Sequence, residues 1–299
     1  MHRATATPSH NTRSTGSRGR WSRHYRIGLA LILWILASGL VSCTALVDQA
    51  LDPSIGSPHV LLGKPSPATR FNANDYLIVR PQYVLSYNRD HGIPNWASWQ
   101  LNQSWLGSLP RIPFQADPSL PQSWYQVQPN DYTGSGFDRG HLVPAADRNK
   151  TEADAQSVFW MTNILPQAPD TNQGPWEQLE SHCRALVRQG KELYIIAGGA
   201  GIGGTGMRGP QTTIARGNVV VPSSTWKIVV VLDRPGLGLD SLTPATPVIA
   251  VNVPNRQGIK TQNWTAFKTS VDQLEQLTGY DFLSAVPEPL QAELEAKID

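Results

Sequence analysis

Two rhythms of apolar residues organise this chain. Residues 76–79, 83–87 and 97–101 are short β-branched and aromatic runs, broken by Gly and Pro, which predict antiparallel strands. Residues 193–197, 218–221, 225–232 and 248–253 are clearer strand-like runs. Residues 107–136 hold Pro110, Pro113, Pro118, Pro121 and Pro129 and predict a long loop, followed by a short strand over 137–143. A helical rhythm replaces this pattern at 171–189, where Trp176, Leu179, Cys183, Leu186 and Val187 form one stripe. Pro175 falls in the first turn of that helix and Gly190 ends it. Ser270 and Gln273 are spaced as a capping box for a helix reaching Leu277 and stopped by Gly279, and a final helix is expected over 290–298. There is no internal repeat. The pattern predicts one α+β domain over 71–299, a central antiparallel sheet flanked by helices, preceded by a flexible Pro/Gly/Ser-rich linker over 43–70.

The first 42 residues follow a different rule. Residues 1–26 are basic and polar, and 27–41 are a continuous apolar run. Together they read as an export signal, the run being short for a membrane span, which needs about 20 apolar residues. Leu40-Val41-Ser42-Cys43 resembles a lipobox, in which Cys43 would carry a lipid anchor; cleavage at a neighbouring site and an uncleaved anchor are the alternatives. The expected location is outside the cytoplasm: periplasmic, membrane-anchored as a lipoprotein, or extracellular, with residues 1–42 removed.

That leader also changes the charge picture. The whole chain carries a formal +2, but six of its 25 basic side chains are leader arginines, so the remainder sets 19 basic against 23 acidic groups. Such a protein is no general polycation, and any nucleic acid must be held by a local basic site. Ten Trp, eight Tyr and six Phe suffice for a substantial core. Outside the leader region Cys183 is the one cysteine, which excludes an internal disulfide and a cysteine-rich zinc site. Its place on the helical stripe predicts a buried thiol.

The densest chemistry lies at Asp138-Arg139-Gly140-His141 and on the helix after it. A neutral imidazole at His141 can take a proton from water near pH 7. Gly140 permits close approach, Arg139 offers a planar fork to phosphate oxygens, and Asp138 can orient a neighbour. Asn172, at the helix start, offers an amide oxygen suited to a hard cation such as Mg²⁺. Glu180 can hold such an ion through water, and Arg184 follows one turn later. Taken singly, His141 reads more readily as a structural histidine, Asn172 as a helix cap, and Glu180–Arg184 as an exposed ion pair. It is their combination that argues for chemistry.

That combination resembles the DNA/RNA non-specific endonucleases, the ββα-metal or His-Me finger nucleases. The resemblance is carried by Asp138-Arg139-Gly140-His141, by Thr162-Asn163 with Pro166-Gln167, and by Asn172 with Trp176, Leu179 and Glu180. It extends from about Pro58 to the C-terminus. The sugar-non-specific nucleases of cyanobacteria are most similar, through Gln82-Tyr83, Leu101-Asn102, Ser104-Trp105-Leu106-Gly107 and Gly279-Tyr280-Asp281-Phe282-Leu283. The resemblance implies a ββα-metal finger active site. It implies His141 as general base, Asn172 as the direct ligand of one Mg²⁺ or Mn²⁺, and Glu180 as a ligand through water. It further implies phosphate contacts from Arg111, Arg139 and Arg184, a supporting role for Asp138, and Asn163 as a shaper of the base's surroundings. DNA and RNA are the implied substrates and 5′-phosphate ends the products. No organic cofactor is implied, and family members also meet inhibitor proteins.

Other signals carry less. The segment 199–204 matches G-x-G-x-x-G after a strand, but 205–217 hold three further glycines and Pro210 and cannot open a helix, so a dinucleotide site is excluded by context. The competing functional reading is a catalytically silent surface lipoprotein that binds nucleic acid or a protein partner.

Overall fold

The computed structural model describes residues 52–298. The expected leader and the lipobox cysteine, Cys43, lie outside the described residues. In chain order the strands are β1 (Tyr76–Val79), β2 (Val84–Asn88), β3 (Ile93–Leu101), β4 (Asp138–His141), β5 (Ile164–Gln167) and β6 (Glu192–Ala200). They continue with β7 (Gly204–Gly206), β8 (Gly209–Gln211), β9 (Thr213–Ile214), β10 (Val219–Val220), β11 (Ser224–Leu232), β12 (Val248–Pro254) and β13 (Lys268–Thr269). The helices used below are α1 (Glu152–Val158), α2 (Glu177–Arg188), α3 (Val271–Thr278) and α4 (Glu288–Glu295).

Seven strands form one sheet in the order β1-β2-β3-β6-β11-β12-β13, and every pairing in it is antiparallel. Both faces are covered, which is why its central strands read as continuous apolar runs rather than alternating ones. Along β6, Leu193, Ile195 and Ala197 enter one core while Tyr194 and Ile196 enter the other, as a period of two requires. The first core receives Trp176, Leu179, Cys183 and Val187 of the α2 stripe. The second receives Val271 and Leu274 of α3, Leu294 of α4, and Phe282 and Leu283 between them. Burying each side chain of that size stabilises the fold by about 1.5–3 kcal/mol. Ser270 caps α3 as predicted, accepting from the Gln273 amide, and Gly279 ends it with φ 72°. Cys183 is buried and free.

Three expectations need correction. Residues 52–70, expected as a flexible linker, are packed: Leu62 and Ala68 belong to the second core, and His59 is buried. Its ring bonds to the Pro81 carbonyl at 2.8 Å and accepts the Gln100 amide at 3.2 Å, which pins the segment to the sheet. The single helix expected over 171–189 is interrupted. A short turn, Pro169–Thr171, leads into a π-helical stretch, Asn172–Trp176, and regular helix begins at Glu177. Pro175 has no amide proton to donate, and Gly174 leaves helical geometry at φ −116°, ψ −114°. The strand expected over 218–221 shrinks to Val219–Val220, which pairs only with β9 outside the main sheet. The 199–204 segment finishes β6 and turns through Gly201 and Gly203, both at positive φ, into the β7–β8 ribbon.

Candidate active site

The site is a strand pair with a broken helix laid beside it. β4 carries Asp138 to His141 and pairs antiparallel with β5, Asp138 opposite Gln167 and His141 opposite Ile164. Gly140 is required by the neighbouring side chain: a Cβ there would lie 1.9 Å from Gln167 Oε1 and 2.4 Å from its Cδ. The helix is tied to the strand by Trp176, whose Nε1 donates to the His141 carbonyl at 3.3 Å.

His141 is 9% exposed, with its ring 5.2 Å from that of Phe114 and 5.0 Å, edge-on, from that of Phe159. Burial, reinforced by the charge of Arg111, pushes its imidazole down to about 3. The ring is therefore neutral across the physiological range, and its buried Nε2 has no hydrogen-bond partner among the described residues. Asn163 does not line the cleft. Its side chain accepts the Val143 amide at 3.0 Å and donates to the carbonyls of Val143 and Val158, both at 3.0 Å, and so clamps the chain two residues beyond His141.

Asn172 sits in the π-helical stretch, a local geometry that recurs at functional sites. Its Nδ2 donates to Asp138 Oδ2 at 2.9 Å, and Gln173 Nε2 reaches the same oxygen at 2.9 Å. Using the amide nitrogen in this way turns the amide oxygen away from Asp138, and that oxygen takes no hydrogen bond among the described residues. Asp138 is thus an orienting group.

Glu180 and Arg184 stand on successive turns of α2. Glu180 lies 4.0 Å from Arg184 and 3.6 Å from Lys227. Burial drives its carboxyl up to about 7, with Lys227 the largest opposing influence. Arg184 donates to Asp147 at 3.2 Å and to Ser181 at 3.0 Å, so part of its charge is spent within the protein. Arg111, Arg139, His141, Asn172, Glu180 and Arg184 all line one cavity of about 320 Å³. An adjoining cavity of about 250 Å³ shares Arg111, Arg139 and Asn172 and adds Asp138. Arg139 lies over the Phe114 ring at 4.9 Å and Arg111 over Phe159 at 5.5 Å, which holds both guanidinium groups at the rim. The larger cavity of about 770 Å³, lined by Tyr125, Asp131, Gln211 and Arg216, contains none of these groups.

Of the residues singled out from the sequence, six line one cavity and two, Asp138 and Asn163, act on their neighbours. Sequence reasoning missed Gln173, which shares Asp138 with Asn172, and the phenyl rings of Phe114 and Phe159 against His141. It also missed Asp147 and Lys227 beneath Glu180. A single Lys inside the apolar run 225–232 was the available signal for the last.

This geometry can be set beside known proteins. The family model of the DNA/RNA non-specific endonucleases matches residues 65–289. The chain is 48% identical to a nuclease of Nostoc sp. over 92% of its own length and 98% of that protein's. It is 28% identical to human mitochondrial endonuclease G, covering 68% of each chain. Among solved structures, the EndoG/EndoGI complex matches with a TM-score of 0.63 at 23% identity, over 77% of this chain and 91% of that one, which establishes the same fold. The chain belongs to the DNA/RNA non-specific endonuclease family and is an endonuclease.

Proposed function

We propose that this endonuclease hydrolyses the phosphodiester bonds of DNA and RNA alike, leaving 5′-phosphate ends, with one Mg²⁺ or Mn²⁺ at Asn172. The observation that carries this reading is the convergence of His141, Asn172, Glu180 and three arginines on one cavity. The donor set fits a hard divalent ion. Asn172 offers an amide oxygen, and no hydrogen bond claims either oxygen of Glu180 among the described residues, since its two cations stand at 3.6 and 4.0 Å. When bound there, the ion supplies charge stabilisation to the departing 3′ oxygen.

The chain's own groups do the rest. Arg111 and Arg139 bind phosphate oxygens, and Arg184 adds positive potential from the cavity floor. His141 accepts the proton of the attacking water. Its low basicity in the free protein owes first to burial and then to Arg111, and a phosphate bound at Arg111 opposes the second influence. The nucleophile in this reading is water and not a ribose 2′-hydroxyl, so it covers both sugars. The neighbouring EndoG/EndoGI structure concerns inhibition of that protein, and an inhibitor protein as a partner is part of the reading here. The leader supports an exported enzyme with Cys43 as a lipid attachment point; an intact N-terminus on exported protein would refute that part.

The decisive assay incubates supercoiled plasmid and RNA with the protein in Mg²⁺ or Mn²⁺, then in EDTA, with His141→Ala alongside. Both substrates should be cut, EDTA should stop cleavage, and the variant should lose activity by about 10²–10⁴-fold while remaining folded. Near-normal turnover by His141→Ala removes the base, and absent cleavage of both polymers favours a silent binding protein.

A further inference from the structure

Next to Glu180, which lines the cavity, lies a buried charged residue that the mechanism above does not use. Lys227 is 1% exposed. It pairs with Ala197 of β6 on one side and Val251 of β12 on the other, so it occupies the interior of the sheet. Its neighbours along β11 are apolar, and it points into the same core as α2. The ammonium lies 4.1 Å from the ring centre of Trp176 and 5.6 Å from that of Trp99. Its nearest carboxylate is Glu180, at 3.6 Å.

Around Lys227, Arg184 faces Asp147, with Glu177 at 3.9 Å on the exposed side, and Lys227 itself faces Glu180. Asp147 takes a hydrogen bond from Arg184 at 3.2 Å and another from the Trp99 indole at 3.2 Å. Arg184 is thus matched by Asp147 and stands off from Glu180 at 4.0 Å. Glu180 is left with Lys227 as its closer cation. Stability does not explain such an arrangement, because a buried ion pair replaced by apolar side chains is often neutral or stabilising. Geometry suggests a different reason. A guanidinium would fork onto both carboxylate oxygens and consume their lone pairs. An ammonium held between indole rings outside hydrogen-bonding distance balances the charge and leaves the lone pairs open.

We propose that Lys227 is a positioning residue acting through Glu180: it fixes and balances the carboxylate from below while leaving its oxygens free to accept from water around a divalent cation. The proposal rests on the reading of Glu180 as the group that holds the ion through water.

The test compares the full chain with Lys227→Met, Lys227→Gln, Glu180→Gln and the Lys227→Met/Glu180→Gln double variant. Mn²⁺ binding is measured by calorimetry, together with kcat and KM for plasmid cleavage. Circular dichroism and urea unfolding establish that each variant is folded. Lys227→Met should weaken Mn²⁺ binding about tenfold, the low end of the about 10–100-fold expected for groups outside the direct ligands, and lower kcat rather than raise KM. In the Glu180→Gln background the same substitution should have no further effect, a coupling that simple packing would not produce. Unchanged Mn²⁺ binding in folded Lys227→Met, or equal losses in both backgrounds while Glu180→Gln itself is impaired, overturns the inference alone. Unchanged Mn²⁺ binding in Glu180→Gln overturns the cation role of Glu180 and the inference with it. If neither Lys227 variant folds, Lys227 belongs to the core and the proposal fails.

Discussion

Replacing Asn163 by Ala tests how the base is held without touching the cleft itself. Asn163 is fully buried, in the turn Met161–Asn163 that joins α1 to β5. Its side chain makes three hydrogen bonds, accepting from the Val143 amide and donating to the carbonyls of Val143 and Val158. Asn163→Ala deletes all three in a place that water does not reach. A buried polar group stripped of its partner costs about 1–3 kcal/mol. Carbonyls tolerate this better than an amide proton, so the expected destabilisation is about 3–5 kcal/mol. Asn163→Asp should be worse than Ala, although it is the closer match in shape. It keeps an acceptor for the Val143 amide but turns a carboxylate oxygen toward two carbonyls that need a donor. Urea unfolding followed by tryptophan fluorescence gives the stability difference. Cleavage assayed well below the unfolding midpoint then reports whether His141, two residues from the clamped backbone, has moved in the folded protein. An Asn163→Ala variant within about 1 kcal/mol of the parent, or an Asp variant more stable than the Ala variant, would refute the clamp.

Three other outcomes are expected. Asp138→Ala should free the Asn172 amide to rotate and weaken Mn²⁺ binding by about 10–100-fold, read by calorimetry, and an unchanged affinity would show that Asp138 orients nothing. Gly140→Ala should drive a methyl group into the buried Gln167 side chain, which sits 1.9 Å from the required position, and cost about 1–3 kcal/mol in thermal unfolding; a neutral result would mean that Gln167 moves freely. Burial lowers the His59 ring to about 4 from an ordinary 6.5, so the unfolded chain takes up this proton first. The His59 share of the stability should fall as pH drops through 6.5 and level off below about 4, by about 3 kcal/mol, beside the separate loss from His141, whose ring burial lowers to about 3. In His59→Gln the loss between pH 6.5 and about 4 should shrink by that amount in a series of urea titrations, and an identical slope would assign the acid sensitivity to other groups.

The candidate site was legible early because its residues cluster along the chain. Asp138, Arg139 and His141 are local neighbours, and Asn172, Glu180 and Arg184 share a helical spacing that any reader of the sequence can project. The central strands were legible for a related reason, since β6, β11 and β12 are apolar on both faces and bounded by turn residues. The helix stripe correctly forecast which side of α2 is buried, including Cys183.

Other features depended on distance in the sequence closing in space. Residues 52–70 carry linker-like Pro and Gly, yet the His59 ring finds Pro81 and Gln100 and fixes the segment. The break at Asn172–Trp176 follows partly from Pro175, but Gly174 also faces Lys260, whose backbone oxygen would lie 2.6 Å from an added Cβ. No local pattern reveals that contact. Glu180 reads as half of an i,i+4 pair with Arg184, whereas the folded chain gives Arg184 to Asp147 and brings Lys227 up to Glu180 from the sheet. Local spacing and periodicity therefore determined which residues enter the candidate site and which faces are buried, because those depend on neighbours a few bonds away. The charge partners, the free oxygen of Asn172 and the dry setting of His141 were decided only by tertiary packing, because hydrogen-bond pairing and desolvation depend on which distant segments meet.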